Sequence, residues 1–290
     1  MTTTLTIIAA LAIWLGAWAL NEKLVHVTPA SPAGARRINL AVPAIFGLTL
    51  LALWELITRG LNVPEILLPA PSAILAEAAT AFPTLWLDLV QTVFKEVLPG
   101  YLIGCGLGFV AALLIDRSPF LKAGLLPLGN FISALPIIGI APIMIMWFGF
   151  EWPSKAAVIV LMIVFPMLIN TVAGLSAAGH MERDLMRTYA ASWWQTMVKL
   201  RLPAAWPFIF NALKINSTLA LIGAIVAEFF GSPSVGIGFR ISVEMGRMNT
   251  AMVWAEILVA AVTGSLFYGI VALIERKVTF WHPSVRGGQT

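Results

Sequence analysis

Hydrophobic positions in this chain gather into long runs rather than stripes. Runs at 4–20, 38–57, 94–115, 124–148, 156–178, 206–230 and 251–274 carry few charges. A helix needs roughly 20 apolar residues to cross a bilayer. The pattern therefore predicts seven spans, of which the first is the shortest. The fourth run contains Pro127, Pro136 and Pro142. Proline inside a span bends the helix and frees carbonyls, which neighbours or a cavity must satisfy. Between the runs, residues 60–90 hold Pro64, Pro69, Pro71 and Pro83. They read as a surface segment with a short amphipathic helix from Ser72 to Ala81, Ser72 capping it. The segment 231–250 is rich in Gly and Ser and carries Arg240, Glu244 and Arg247. No Lys or Arg precedes Lys23, so the first run lacks the basic start of a secretory signal. It reads as a retained helix, spanning or lying in the interface. No internal repeat is evident.

Composition narrows the class. Of 290 residues, 59% are hydrophobic and 11% charged, with mean hydropathy +0.90. Soluble domains carry about 25% charge. An ordinary soluble enzyme, a disordered chain and a nucleic-acid-binding domain are excluded, leaving an all-α polytopic membrane protein. The net charge of +4 matters less than its distribution. With the N-terminus outside, Lys23, Arg36, Arg37, Arg117, Lys122, Arg183, Arg187, Lys199, Arg201, Arg276, Lys277 and Arg286 face the cytoplasm. Arg59, Lys95, Lys155, Arg240 and Arg247 face outward. That asymmetry obeys the positive-inside rule and places residues 180–203 in the cytoplasm.

The stretch Met181–Leu202, MERDLMRTYAASWWQTMVKLRL, is too charged to span. Met186, Tyr189, Trp193, Met197 and Leu200 nevertheless recur at helical spacing and share a face. Such a helix docks into a partner's groove, lies on lipid, or packs as a plain loop.

Polar residues inside spans are costly and mark function by default. Asn216, Ser217 and Thr218 interrupt the sixth run, with Asn216 the first choice to face a translocation path. Lys214 lies near them, and Glu228 and Glu256 sit in the last two runs. Arg240 or Arg247 is available to pair with either carboxylate. Asn170 ends the fifth run and ties down the following loop. Gly104, Gly106 and Gly108 suit close helix packing. Cys105 lies in the same run and reads as a small packed residue. The sequence holds no H-E-x-x-H, G-x-S-x-G or GxxxxGK[ST] pattern. No catalytic residue, metal site or cofactor is expected in this chain.

The loop resembles the cytoplasmic EAA-x3-G-x9-I-x-L-P loop of binding-protein-dependent ABC importer permeases. Asp184, Leu185 and Met186 stand for EAA, Ala190 for the glycine, Leu200 for the isoleucine, and Leu202 and Pro203 keep the LP. Further likeness lies in LPAPS (Leu68–Ser72), NTVAGL (Asn170–Leu175), RTYAASWWQ (Arg187–Gln195), LPAAWPFIFNALKI (Leu202–Ile215), IVAEFFG (Ile225–Gly231) and ALIERKVTFW (Ala272–Trp281). These runs are similar to the branch importing nitrate, taurine and alkanesulfonates. The resemblance implies a type I ABC importer permease-like bundle with a six-span core. Residues 1–37 add an N-terminal helix and basic linker to a permease domain at 38–290. It implies a homodimer in the inner membrane, cytoplasmic ATPase subunits that use ATP, and an extracytoplasmic solute-binding protein. Coupling to the ATPase would fall to Arg183, Asp184, Arg187, Tyr189, Ala190, Ser192, Trp193 and Gln195. Glu228 matches a family position and joins Asn216, Ser217 and Thr218 as a path candidate. A stand-alone secondary transporter or channel is the alternative.

Overall fold

The computed structural model describes residues 3–27, 29, 31–133, 135–231 and 234–281, and these contain helices and no strand. Arg286, counted above among the cytoplasmic charges, lies outside them. The chain forms two compact units, residues 1–82 with 243–256, and residues 83–242 with 257–290.

In the first unit, α1 (Thr3–Val25) and α2 (Pro32–Gly60) form an antiparallel pair, with buried Thr6 donating to the Gly60 carbonyl at 3.3 Å. Ser31 caps α2 by accepting from the Gly34 amide, and Pro32 starts it, where a missing N–H costs nothing. Arg36 and Arg37 therefore lie inside a helix. The expected cap at Ser72 is absent. Helix α3 (Pro71–Thr80) begins after Ala70, and Ser72 instead donates from its hydroxyl to Glu55 at 2.6 Å and accepts from Arg59 at 2.6 Å.

The second unit begins with α4 (Phe82–Leu89), a π-helical segment π1 (Val90–Val97) and α5 (Leu98–Arg117), one continuous apolar run. Then come α6 (Pro119–Ser133), α7 (Ile137–Phe148) and α8 (Trp152–Ser176). Gly100 packs on Ile159, Gly104 on Ile163 and Gly108 on Met167, where a Cβ would collide. This four-residue glycine spacing puts one face of α5 directly on α8. Gly106, expected to share that role, faces open space.

The three contacts advance together along both helices, so α5 and α8 run parallel. The chain must cross back between them, and only α6 and α7 are available. The expected fourth span is thus two helices of 15 and 12 residues, with Pro136 capping the second. At 1.5 Å per residue each is about 22 Å or less, too short alone for roughly 30 Å of hydrocarbon. Among the described residues, six helical runs are long and apolar enough to cross a membrane, and the broken pair supplies a seventh traverse.

The chain continues through α9 (His180–Thr188), α10 (Trp193–Thr196), a second π segment π2 (Met197–Arg201) and α11 (Leu202–Phe230). Helix α11 runs against α8, with Gly174 facing Ala205 and Gly223 facing Met162. The core lies where α5, α8 and α11 meet, around Tyr101, Ile159, Ile163, Met197, Ile209 and Ala220. Helices α12 (Ile237–Gly246) and α13 (Thr250–Val278) end the described chain.

The two π segments share a cause. The Leu98 amide reaches back to the Val93 carbonyl, and the Leu202 amide to Met197. Each leucine precedes a proline, whose ring clashes with the carbonyl four residues back. One extra residue in the turn relieves the clash, the usual form of a π-bulge. Although no repeat is evident in the apolar pattern, the two segments lie in a short one: QTVFKEVLP at 91–99 and QTMVKLRLP at 195–203.

Candidate functional site

All eight predicted coupling residues fall in one elbow formed by α9 and α10. The single helix expected over 181–202 is broken at Ala190, which has φ 49°. The Ala190 amide donates to the Arg187 carbonyl at 2.8 Å, and the Ala191 amide to Met186 at 3.0 Å. This is a Schellman turn, whose left-handed position normally holds glycine. Alanine holds this left-handed position at a conformational cost of about 1 kcal/mol. Ser192 and Gln195 restart the helix as a capping box, with bonds of 3.3 and 2.8 Å. Their side chains build the elbow. Arg187 and Asp184 form an exposed pair at 3.2 Å, worth little by itself, and Arg183 closes on the Gly179 carbonyl at 3.3 Å.

The two tryptophans divide. Trp193 packs inward against the core, with the Arg117 guanidinium 5.4 Å above its ring. Trp194 meets it edge-on at 4.7 Å and is 62% exposed, as are Tyr189 at 76% and Leu185 at 55%. The outward apolar face of the elbow is therefore Leu185, Tyr189 and Trp194.

The elbow is fastened by a residue that sequence reading did not single out. Arg201 donates from both terminal nitrogens to Asp116 at 2.6 and 2.5 Å, and from Nε to the Leu175 carbonyl at 3.0 Å. Nearby, Lys214 pairs with Glu275 at 2.6 Å, joining α11 to α13.

The polar patch on α11 divides three ways. Asn216 is fully buried and donates to Cys105 Sγ at 3.4 Å and the Ile163 carbonyl at 3.1 Å. It joins α5 and α8 rather than facing an open surface. Ser217 is buried and bonds the Lys214 carbonyl at 2.7 Å. Thr218 alone of the three is exposed, although its hydroxyl returns to the Ile215 carbonyl at 2.8 Å. It borders a groove of about 570 Å³ with Ile222, Ile257, Ser265 and Tyr268. Asn170 donates to the Pro166 carbonyl at 2.8 Å, one turn back on its own helix.

Glu228 belongs to a buried network at the opposite end of α11. Thr92 Oγ1 donates to it at 2.7 Å and the Gly238 amide at 2.6 Å. The Ile237 amide donates to Thr92 at 2.9 Å. Asp88 accepts from the Gly236 amide at 2.7 Å and from Arg240 at 2.8 Å. Glu96 and Lys155 are fully buried beside Glu228. Gly236 has φ 138°, and a Cβ there would meet the Glu228 carboxylate, so only glycine fits. The network fastens the start of α12 to π1.

Comparisons place this architecture. Residues 104–280 match the model of the binding-protein-dependent transport system inner membrane component family. A probable ABC transporter permease of Haemophilus influenzae is 32% identical, over 83% of this chain and 98% of that protein. The putative aliphatic sulfonates transport permease SsuC of Bacillus subtilis is 31% identical, over 92% and 95%. The fold is similar to a chain of the MetNI methionine ABC transporter in inward-facing form, with TM-score 0.53 and 17% identity, over 68% of this chain and 95% of that one. The bundle, the elbow ahead of the LP pair and the family match agree: the chain belongs to the binding-protein-dependent transport system inner membrane components, as a permease subunit of the ABC-importer type.

Proposed function

We propose that two copies of this chain form the membrane path of an importer, and that a separate ATPase drives them through the α9–α10 elbow. The observation that carries this reading is an elbow that exposes Leu185, Tyr189 and Trp194 while its other face is bound into the core. Aromatic anchors on a rigid support are what a groove in a second protein recognises. The loop lies on the cytoplasmic side, as its charges require, and an extracytoplasmic binding protein delivers the solute. Thr218 is the path residue on α11, since a cavity between two copies is lined by residues that one copy leaves exposed. Asn216 and Glu228 serve as packing and fastening groups.

The solute is small and organic, in a family whose related branches handle sulfonates, taurine, nitrate and other small solutes. Lys214 is neutralised by Glu275, and Lys155 sits among Glu96 and Glu228, which favours a neutral or aromatic member over an anion. The test is Trp194→Asp combined with Tyr189→Asp. The ATPase should be lost from the purified complex while the permease stays folded. Full retention of the ATPase would sink this docking face, and transport by the chain without any ATPase would support a stand-alone carrier.

A further inference from the structure

We infer that Arg201 is the positioning residue that carries movement of the elbow into the membrane helices. The inference rests on the docking reading above and goes beyond it by naming the mechanical link.

Arg201 ends π2, where the elbow becomes α11. Its guanidinium reaches two other helix ends at once. Two nitrogens hold both oxygens of Asp116, next to the last residue of α5, at 2.6 and 2.5 Å. The third holds the Leu175 carbonyl, in the last turn of α8, at 3.0 Å. Carbonyls in the last turn of a helix lack intrahelical donors as a rule, which makes Leu175 a natural acceptor for the guanidinium. A guanidinium is a rigid planar fork, so three bonds in one plane define direction as well as distance. The side chains of Arg201 and Asp116 are 14% and 12% exposed, leaving little water to replace these bonds. A second tie runs from the same end of α5, through Arg117 stacked on Trp193 of α10. Among the described residues, Met197 and Trp193 also pack on the core through apolar contacts, which are non-directional and can slide. With the clamp intact, the ends of α5, α8 and α11 move with the elbow as one body.

This predicts a mechanical load. An ATPase that closes against the elbow must also move three spans, and that load slows hydrolysis. The experiment uses the permease–ATPase complex in lipid vesicles with ATP as its only ligand. Arg201→Ala should keep its ATPase and hydrolyse ATP at least threefold faster per assembled complex than the unaltered protein. Arg201→Lys, which keeps one charge but not the fork, should fall between. The pair Asp116→Asn with Arg201→Gln removes both charges and the guanidinium fork and should match Arg201→Ala. It decides the question if the single variant fails to assemble. A residue that only stabilises the fold would lower the yield of complex and leave the rate per complex unchanged. An unchanged or lower rate in every variant that assembles therefore overturns the inference, and so does loss of the ATPase from both Arg201→Ala and the double variant. Absence of the ATPase from the unaltered complex would instead defeat the docking reading, and this inference with it.

Discussion

The two π segments are written in nearly the same letters and have opposite fates. In π1, QTVFKEVLP places Thr92 and Glu96 at full burial, where Thr92 bridges Glu228 and the start of α12. In π2, QTMVKLRLP leaves Gln195 in an exposed capping box, with Thr196 half-buried. Each motif widens a helix ahead of a Leu-Pro pair, and there the likeness stops. Position 96 is Glu and position 200 is Leu, while position 97 is Val and position 201 is Arg. The charged group sits one place later in the second motif and has the opposite sign. Local sequence thus determines the helix geometry, and burial determines what the polar groups do. One end becomes a closed network that fixes a loop. The other becomes a jointed arm with one buried clamp and one exposed face.

The largest test of this contrast is Glu228→Ala. It strands the Thr92 hydroxyl and the Gly238 amide in a dry interior, and each lost partner costs about 1–3 kcal/mol. A total near 3 kcal/mol should appear as a lower unfolding midpoint of the purified protein, with the ATPase still attached to whatever remains folded. Dissociation of the ATPase before unfolding would mean that the two ends are not separate devices.

A sharper test compares equivalent threonines. Thr92→Val removes two buried hydrogen bonds and should destabilise by about 2 kcal/mol. Thr196→Val, at the matching place in the other repeat, should change stability by less than about 0.5 kcal/mol. Equal losses in chemical denaturation of the two variants would show that the motif, not its burial, sets the energetics.

Ala190→Gly gives a gain in the jointed arm. It relieves left-handed strain at φ 49°, worth about 1 kcal/mol before the extra freedom of glycine in the unfolded chain is subtracted. The elbow should resist proteolysis slightly better, measured as a slower cut between α9 and α10, with ATPase binding unchanged. Faster cutting would mean that alanine is there to stiffen the bend.

Much of this molecule was readable in the sequence. Apolar runs of spanning length marked the membrane helices, because bilayer thickness acts on each helix separately. The S-W-W-Q capping box and the Leu-Pro bulges also have local causes, although the apolar pattern predicted neither. The loop at 180–203 was recognisable because charge and large apolar residues alternate where a span is impossible.

The pairing of distant groups was not readable. Asp116 with Arg201, Asp88 with Arg240 and Thr92 with Glu228 are separated by 85, 152 and 136 positions, and each carboxylate had several basic or hydroxyl residues to choose from. Which tryptophan of Trp193 and Trp194 faced inward was equally undetermined, since neighbouring residues on a helix point about 100° apart and both rings suit either environment. Asn216 looked like a path residue because a polar side chain in an apolar run has two uses, and only the structure shows that it is buried between α5 and α8. The sequence by itself determined the apolar runs and their membrane setting, because those follow from solvent, while the breaks at Ala190 and between α6 and α7 appeared only in the structure. The tertiary structure decided the partners, because a buried hydrogen bond depends on which helices meet and at what depth.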